Sequence, residues 1–359
     1  MNHLRLLLFM LLSIASGMTR SQGFSVAGIV TDVQSGLPLT GASVFCQNTT
    51  LGTVTNAEGR FRMQLPVGGY DLVVSFNGYE TQSMRINAST ESLQSMDVKL
   101  KMKDRSLEAV SVVATTELRD GWKRYGDLFN GLFLGMTINS DSCRIDNRDS
   151  LRFFYSKKRD RLKVIAREPL KILNHAMGYV IKYELDSFVH EFSSGLTEYT
   201  GYARFEEMDG DDAQQQKWAE ARERAYFGSM LHFVRCYYDS TLRLNGYKLE
   251  RIDRSTEESV MIYDPYDSVR YGITEDGDVM LLNDGKLRVA YTQERPEPKY
   301  LQIKKLPANT PVQISILDFP DYILIEQNGY FYDQKNILVN GYWSWEKLAD
   351  LLPYDYDPE

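Results

Sequence analysis

Positive charge is nowhere concentrated in this chain. Lys and Arg number 41 against 49 Asp and Glu, for a net charge of −8, and no long basic cluster occurs. A nucleic-acid surface needs Lys and Arg gathered on one face, so no nucleic-acid partner is expected. Histidine is scarcer still, with four in 359 residues, and none is followed three positions later by Glu. There is no Cys-x-x-Cys pair, P-loop or dinucleotide glycine fingerprint, so no cofactor is implied. The three cysteines, Cys46, Cys143 and Cys236, cannot all pair within one molecule. Cys46 alternates with Ala42 and Val44 and reads as a core residue. Cys143 and Cys236 are left either free or paired in an oxidising compartment.

Long apolar runs are absent beyond the first residues. There His3 and Arg5 precede a run from Leu6 to Leu12, which continues to Ile14 and is followed by Ala15, Ser16 and Gly17. These are the n-, h- and c-regions of a secretory signal over 1–22, with cleavage expected between Gly17 and Gly23. The apolar run is well short of the roughly 20 residues that a spanning helix needs. No Cys lies near the cleavage region to carry a lipid, and no transmembrane segment is expected in the mature chain. Hydrophobic content of 43% with 25% charged residues is that of a globular protein, and the length suits two or three domains.

Residues 23–102 read as short alternating strands broken by turn signals. Phe61, Met63 and Leu65 alternate with Arg60, Arg62 and Gln64; Tyr70, Leu72, Val74 and Phe76 repeat the period. Asn56 to Gly59 and Asn77-Gly78 are turns, because Asn and Gly tolerate positive φ. The order Gly28/Val30/Asp32, Pro38/Leu39/Gly41/Ala42/Val44, Thr55/Gly59/Phe61 and Gly68/Tyr70/Leu72 resembles the carboxypeptidase regulatory-like (transthyretin-like) domain found in Bacteroidetes envelope proteins. The resemblance implies a β-sandwich, and it carries little functional information because such domains are accessories of many envelope proteins. A zinc carboxypeptidase is not implied, since the His-x-x-Glu metal motif is missing. Residues 103–120 read as a linker or connecting strand; the segment 106–114 is similar to one that follows this domain in TonB-dependent transporters. A transporter barrel of about 22 strands, at about ten residues each, needs more chain than follows.

The rest divides into an α+β region at 121–250 and a β-rich region at 251–359. Trp122, Tyr125, Leu128, Phe129 and Phe133 recur at helical spacing. Residues 151–155 and 162–165 read as a hairpin, 177–189 as a long strand and 196–205 as its neighbour. Residues 214–242 read as one long helix, capped by Asp211 or Asp212, and 345–352 as a short closing helix. Asn-Gly-Tyr occurs at Asn77, Asn245, Asn328 and Asn340, an irregular reuse of one turn.

Candidate chemistry is thin. Ser229 and His232 would share a helix face, but no nucleophile elbow surrounds that serine. His190-Glu191 begins a zincin motif whose second His is replaced by Ser194. Tyr342, Trp343 and Trp345 form a candidate stacking platform for sugar or peptide. The expected fold is mainly β with α+β: a transthyretin-like sandwich followed by a β-rich α+β region containing one long helix. The expected function is non-enzymatic binding in the periplasm or at the outer membrane, with an envelope protein partner. An envelope hydrolase acting on peptide or glycan and a glycan-binding protein are the alternatives.

Overall fold

The computed structural model describes residues 23–91, 93–103, 116–275 and 277–358. The segment 1–22 expected as a signal and the strip at 106–114 lie outside them.

The sandwich is built from β1 (Gly23–Asp32), β2 (Ser43–Cys46), β3 (Gly52–Val54), β4 (Arg60–Pro66), β5 (Tyr70–Ser75), β6 (Gln82–Ile86) and β7 (Met96–Leu100). One sheet has the order β4-β1-β7 and the other β3-β2-β5-β6. Val26, Val30, Phe61, Leu65, Leu72, Val74 and Leu100 fill the space between them, and Cys46 is fully buried there. On the second sheet the alternation leaves Ser43, Phe45, Val73 and Ser75 on the outer face. Phe45 and Val73 are nevertheless buried, because the rest of the chain covers that face.

The second layer opens with β8 (Thr116–Glu117) and α1 (Gly121–Phe133), the helix expected from the aromatic spacing. It continues through β9 (Cys143–Ile145), β10 (Leu151–Ser156), β11 (Arg161–Ala166), β12 (Leu170–Asn174), β13 (Tyr179–Glu191) and β14 (Thr197–Glu207). The expected hairpin is β10–β11, and the long strand and its neighbour are β13 and β14. α1 lies on this sheet with Phe129 and Phe133 fully buried; their rings meet Phe188 at 4.8 Å and Tyr183 at 5.0 Å.

The single helix expected over 214–242 is two helices. α2 (Asp212–Tyr226) starts at Asp211, whose side chain accepts from the Gln214 N–H, and supplies Ala221, Ala225 and Tyr226 to the α1 core. α3 (Met230–Tyr238) belongs to another core. Between them Gly228 has φ +83°, a conformation that ends a helix and that only glycine adopts cheaply. Ser229 then caps α3 by accepting from the His232 N–H at 3.1 Å.

The last part contains β15 (Tyr247–Ile252), β16 (Ser259–Ile262), β17 (Tyr271–Ile273), β18 (Val279–Leu282), β19 (Lys286–Tyr291), α4 (Pro298–Lys304), β20 (Gln313–Asp318), β21 (Tyr322–Ile325) and β22 (Leu338–Gly341). Its sheets have the orders β16-β15-β19-β20-β22 and β17-β18-β21. Phe233 and Tyr237 of α3 pack into them with Leu249, Leu281, Val289 and Ile325. The helix expected at 345–352 is instead a series of turns. That segment runs from the last core back to the α1 core, where Leu348 and Leu352 insert. A helix would set Trp345, Leu348 and Leu352 on one face, whereas here Trp345 packs with Tyr300 and the two leucines with the α1 core.

Candidate functional site

One cleft among the described residues is made by an interruption in a sheet. β12 pairs with the first half of β13, from Tyr179 to Tyr183, and β11 with its second half, from Phe188 to Glu191. Both lie on the same side of β13, so residues 184–187 have no strand partner there. The connection Arg167-Glu168-Pro169 swings out opposite this gap, and Pro169 has no N–H with which to fill it. The sandwich turn at Asn77-Gly78 closes the other side, leaving a space of about 610 Å³.

Glu184, Asp186, Ser75, Lys103, Phe76 and Tyr79 give this cleft its chemistry. Ser75 Oγ donates to Glu184 Oε1 at 2.7 Å. Burial pushes the Glu184 and Asp186 carboxyls above the usual range, and Lys103 pulls both back. Neither histidine nor cysteine lines the cleft; its polar groups are the hydroxyl of Ser75, the carboxyls of Glu184 and Asp186 and the amine of Lys103. Sequence reasoning missed this place; the Glu-Pro step between two apolar runs was its signal.

A second space, of about 570 Å³, lies where α3, the sandwich and the chain's last described residues meet. His232 and Cys236 stand there one helical turn apart. The imidazole Nδ1 accepts from the Gly228 N–H at 3.2 Å and lies 2.9 Å from the Tyr247 hydroxyl. Burial lowers its pKa to about 4 and raises that of the Cys236 thiol to about 11. Both groups are therefore neutral near pH 7, the reverse of an activated thiolate–imidazolium pair. Ser229 is a helix cap rather than the mid-helix residue expected from sequence, and its oxygen is engaged.

The other candidates are also accounted for locally. His190 lies on a strand, where it and Glu191 point to opposite faces, and its Nδ1 is 2.8 Å from Thr197 Oγ1. Among the described residues no three His, Cys, Asp or Glu come together as a metal site. All three cysteines are free, with the Cys143 thiol directed at the Asn139 carbonyl oxygen at 3.4 Å.

The stacking platform expected at Tyr342, Trp343 and Trp345 is corrected by burial: the three are only 4%, 7% and 5% exposed. Trp343 packs on Phe233 and donates to the Gly228 carbonyl at 2.7 Å; Trp345 packs on Tyr300 and donates to Glu297. The ring of Tyr342 also meets Tyr300. These aromatics face core partners, whereas a platform needs a ring face open to a ligand.

Beside them Glu294, Glu297, Glu346 and Asp350 gather. Glu346 and Asp350 are pushed up by burial and then by the neighbouring carboxylates, Asp350 to about 7. Asp350 accepts from Thr137 and Asn139, and Glu297 accepts from Ile138 N and Trp345 Nε1.

Residues 26–112 match the family model described as CarboxypepD_reg-like domain, and the N-terminal sandwich is a domain of that family. TonB-dependent receptor P3 of Formosa agariphila is 26% identical over 110 residues, covering 31% of this chain and 11% of the receptor. TonB-dependent receptor SusC of Bacteroides thetaiotaomicron is 34% identical over 99 residues, covering 28% and 9%. The chain thus spans about a tenth of the length of these relatives. A DUF3823 family protein from Parabacteroides merdae aligns over 52% of this chain and 81% of its own at 11% identity. Its TM-score of 0.18 is too low to bear on fold or activity. No described helix is long and apolar enough to cross a membrane.

Proposed function

We propose that this is a non-enzymatic interaction protein of the cell envelope, periplasmic or associated with the outer membrane, in which the sandwich is a docking and spacing module. The observation that carries this reading is the CarboxypepD_reg-like match at 26–112, shared with TonB-dependent receptors. The neutral states of His232 and Cys236 and the engaged oxygen of Ser229 support it against the hydrolase reading. Crosslinking in intact envelopes followed by purification of the chain tests it. A discrete envelope protein should be recovered with the chain, and recovery of the uncrosslinked monomer alone overturns the reading.

Glycan binding is favoured by one specific observation: the cleft combines the carboxyls of Glu184 and Asp186 with the rings of Phe76 and Tyr79. Sugars are held by such pairings of aromatic faces with fixed polar groups. On this reading a glycan-array signal falls when Glu184→Gln is introduced; an unchanged signal, or none for the unmodified chain, removes it.

A further inference from the structure

The last sheet ends in an edge strand with few of the usual defences. β16 pairs with β15, from Leu249↔Ile262 to Ile252↔Ser259, and with no described strand on its other side. Val260 and Met261 are 58% and 40% exposed, and the following Tyr263 is 84% exposed. Ser259 to Tyr263 contains no proline, glycine or charged residue. Natural edges carry such residues because a bare row of amides and carbonyls recruits further strands. Two other edges here are protected: β4 exposes Arg60 and Arg62 and ends at Pro66, while β14 is met by Asn48 and Thr49 of the sandwich. β16 is short, so its protection rests on length and on its flanks.

The flanks are acidic. Glu257 and Glu258 precede the strand and Asp264 follows it. Three nearby cations are already committed: Arg251 to Asp253 and Asp284, Lys286 to Glu257, and Arg288 to Glu250. Glu258 and Asp264 form no ion pair among the described residues. Antiparallel pairing of two copies across Val260, Met261 and Ile262 sets Glu257 or Glu258 opposite Asp264, and like charges placed opposite destabilise a ladder.

We propose that β16 is the docking edge for an extended strand of a partner protein that carries Lys or Arg at both ends of a short β-prone run. The ladder supplies affinity, and the acidic flanks select the partner and reject a second copy. This proposal rests on the interaction reading above and specifies the chemistry of the partner.

The test is fluorescence anisotropy with a labelled peptide, Lys-Lys-Thr-Val-Thr-Val-Lys-Lys, and its counterpart with Glu at both ends. Saturable binding of the Lys-ended peptide is expected, weaker by at least about tenfold for the Glu-ended one and reduced by added salt. Glu258→Lys with Asp264→Lys should reverse that preference; both sites flank the strand, away from the core. Adjacent residues aim their N–H groups to opposite sides of a strand, so one of Val260→Pro and Met261→Pro blocks the outer edge alone. That variant should abolish binding with an unchanged circular-dichroism spectrum.

No saturable binding, equal binding of the two peptides, or a dimer that the charge reversal leaves intact overturns the proposal. Recovery of the same crosslinked envelope partner by the charge-reversed variant sinks the edge and spares the broader reading. Peptide binding without any envelope partner does the opposite.

Discussion

His232 stands beside Cys236 in the second space, and its surroundings hold it uncharged. Two donors converge on Nδ1, and burial holds the ring neutral beside a thiol that is also held neutral. Iodoacetamide at neutral pH should therefore leave Cys236 unmodified in the folded chain and label it after denaturation; a fluorophosphonate should leave Ser229 unmodified. Rapid labelling of the folded protein at either position, read by peptide mass spectrometry, refutes this account. The buried aromatics carry a different expectation. Trp343→Ala and Trp345→Ala should each cost about 3–5 kcal/mol by urea unfolding, the usual penalty for emptying an aromatic site in a core. The residue types that pattern alone could place were local ones. Asp211 as a cap and Cys46 as a core residue follow from their neighbours, whereas the burial of Trp343 depends on Phe233 and Gly228, far away in sequence.

Elements were legible where period and turn chemistry agreed. The sandwich strands β4 and β5, the hairpin β10–β11, the long pair β13–β14 and helix α1 carry alternation or helical spacing. β6 (Gln82–Ile86) was not, because its residues Gln82, Ser83 and Arg85 are polar on a strand that meets other parts of the chain. The division of 214–242 into α2 and α3 was hidden by helix formers on both sides of a Gly-Ser step whose meaning comes from two separate cores. Gly228→Ala should thus destabilise by about 2 kcal/mol or more. The positive φ is strained for alanine, and the added carbon would lie 2.7 Å from Tyr291 Cδ1. Chemical denaturation measures the loss. A neutral effect would mean that the junction tolerates continuous helix. The cleft is likewise a property of β11, β12 and β13 together, since only the register shows that two short strands share one long partner.

At the scale of the whole molecule, the outer face of one sandwich sheet is an internal joint. Asp71 accepts from the Tyr330 hydroxyl at 3.1 Å, Arg85 pairs with Asp333 at 3.3 Å, and Ser75 reaches Glu184. The joint beside α1 gathers acids. Asp350 and Glu346 are raised in the folded chain, with Glu294 and Glu297 beside them and the nearby Lys347 amine itself lowered by burial. An acid raised on folding binds more protons folded than unfolded, so its stabilising effect is lost as pH climbs from about 4 through about 7, by up to about 1.4 kcal/mol per pH unit for one group. His232 acts oppositely: it is lowered from 6.5 to about 4, so stability falls as acid enters that window. Between about pH 4 and 6.5 the two effects oppose one another, and above that the acids act alone, so thermal stability should fall on the alkaline side. Asp350→Asn should flatten the alkaline side of the curve, and an unchanged curve would show that the cluster is better solvated than its burial implies.

The last described residues bind this assembly together. Arg235 donates to the carbonyls of Asn328, Tyr354 and Tyr356, and Asp355 accepts from the Thr50 amide at 2.9 Å across a separation of 305 residues. A contact between residues so far apart forms once the elements between them have shortened the loop, which makes it a late event in folding. A chain emerging from its amino terminus would therefore complete the sandwich while Phe45 and Val73, on its outer face, still await the segments around 184–205 and 326–356 that meet that face.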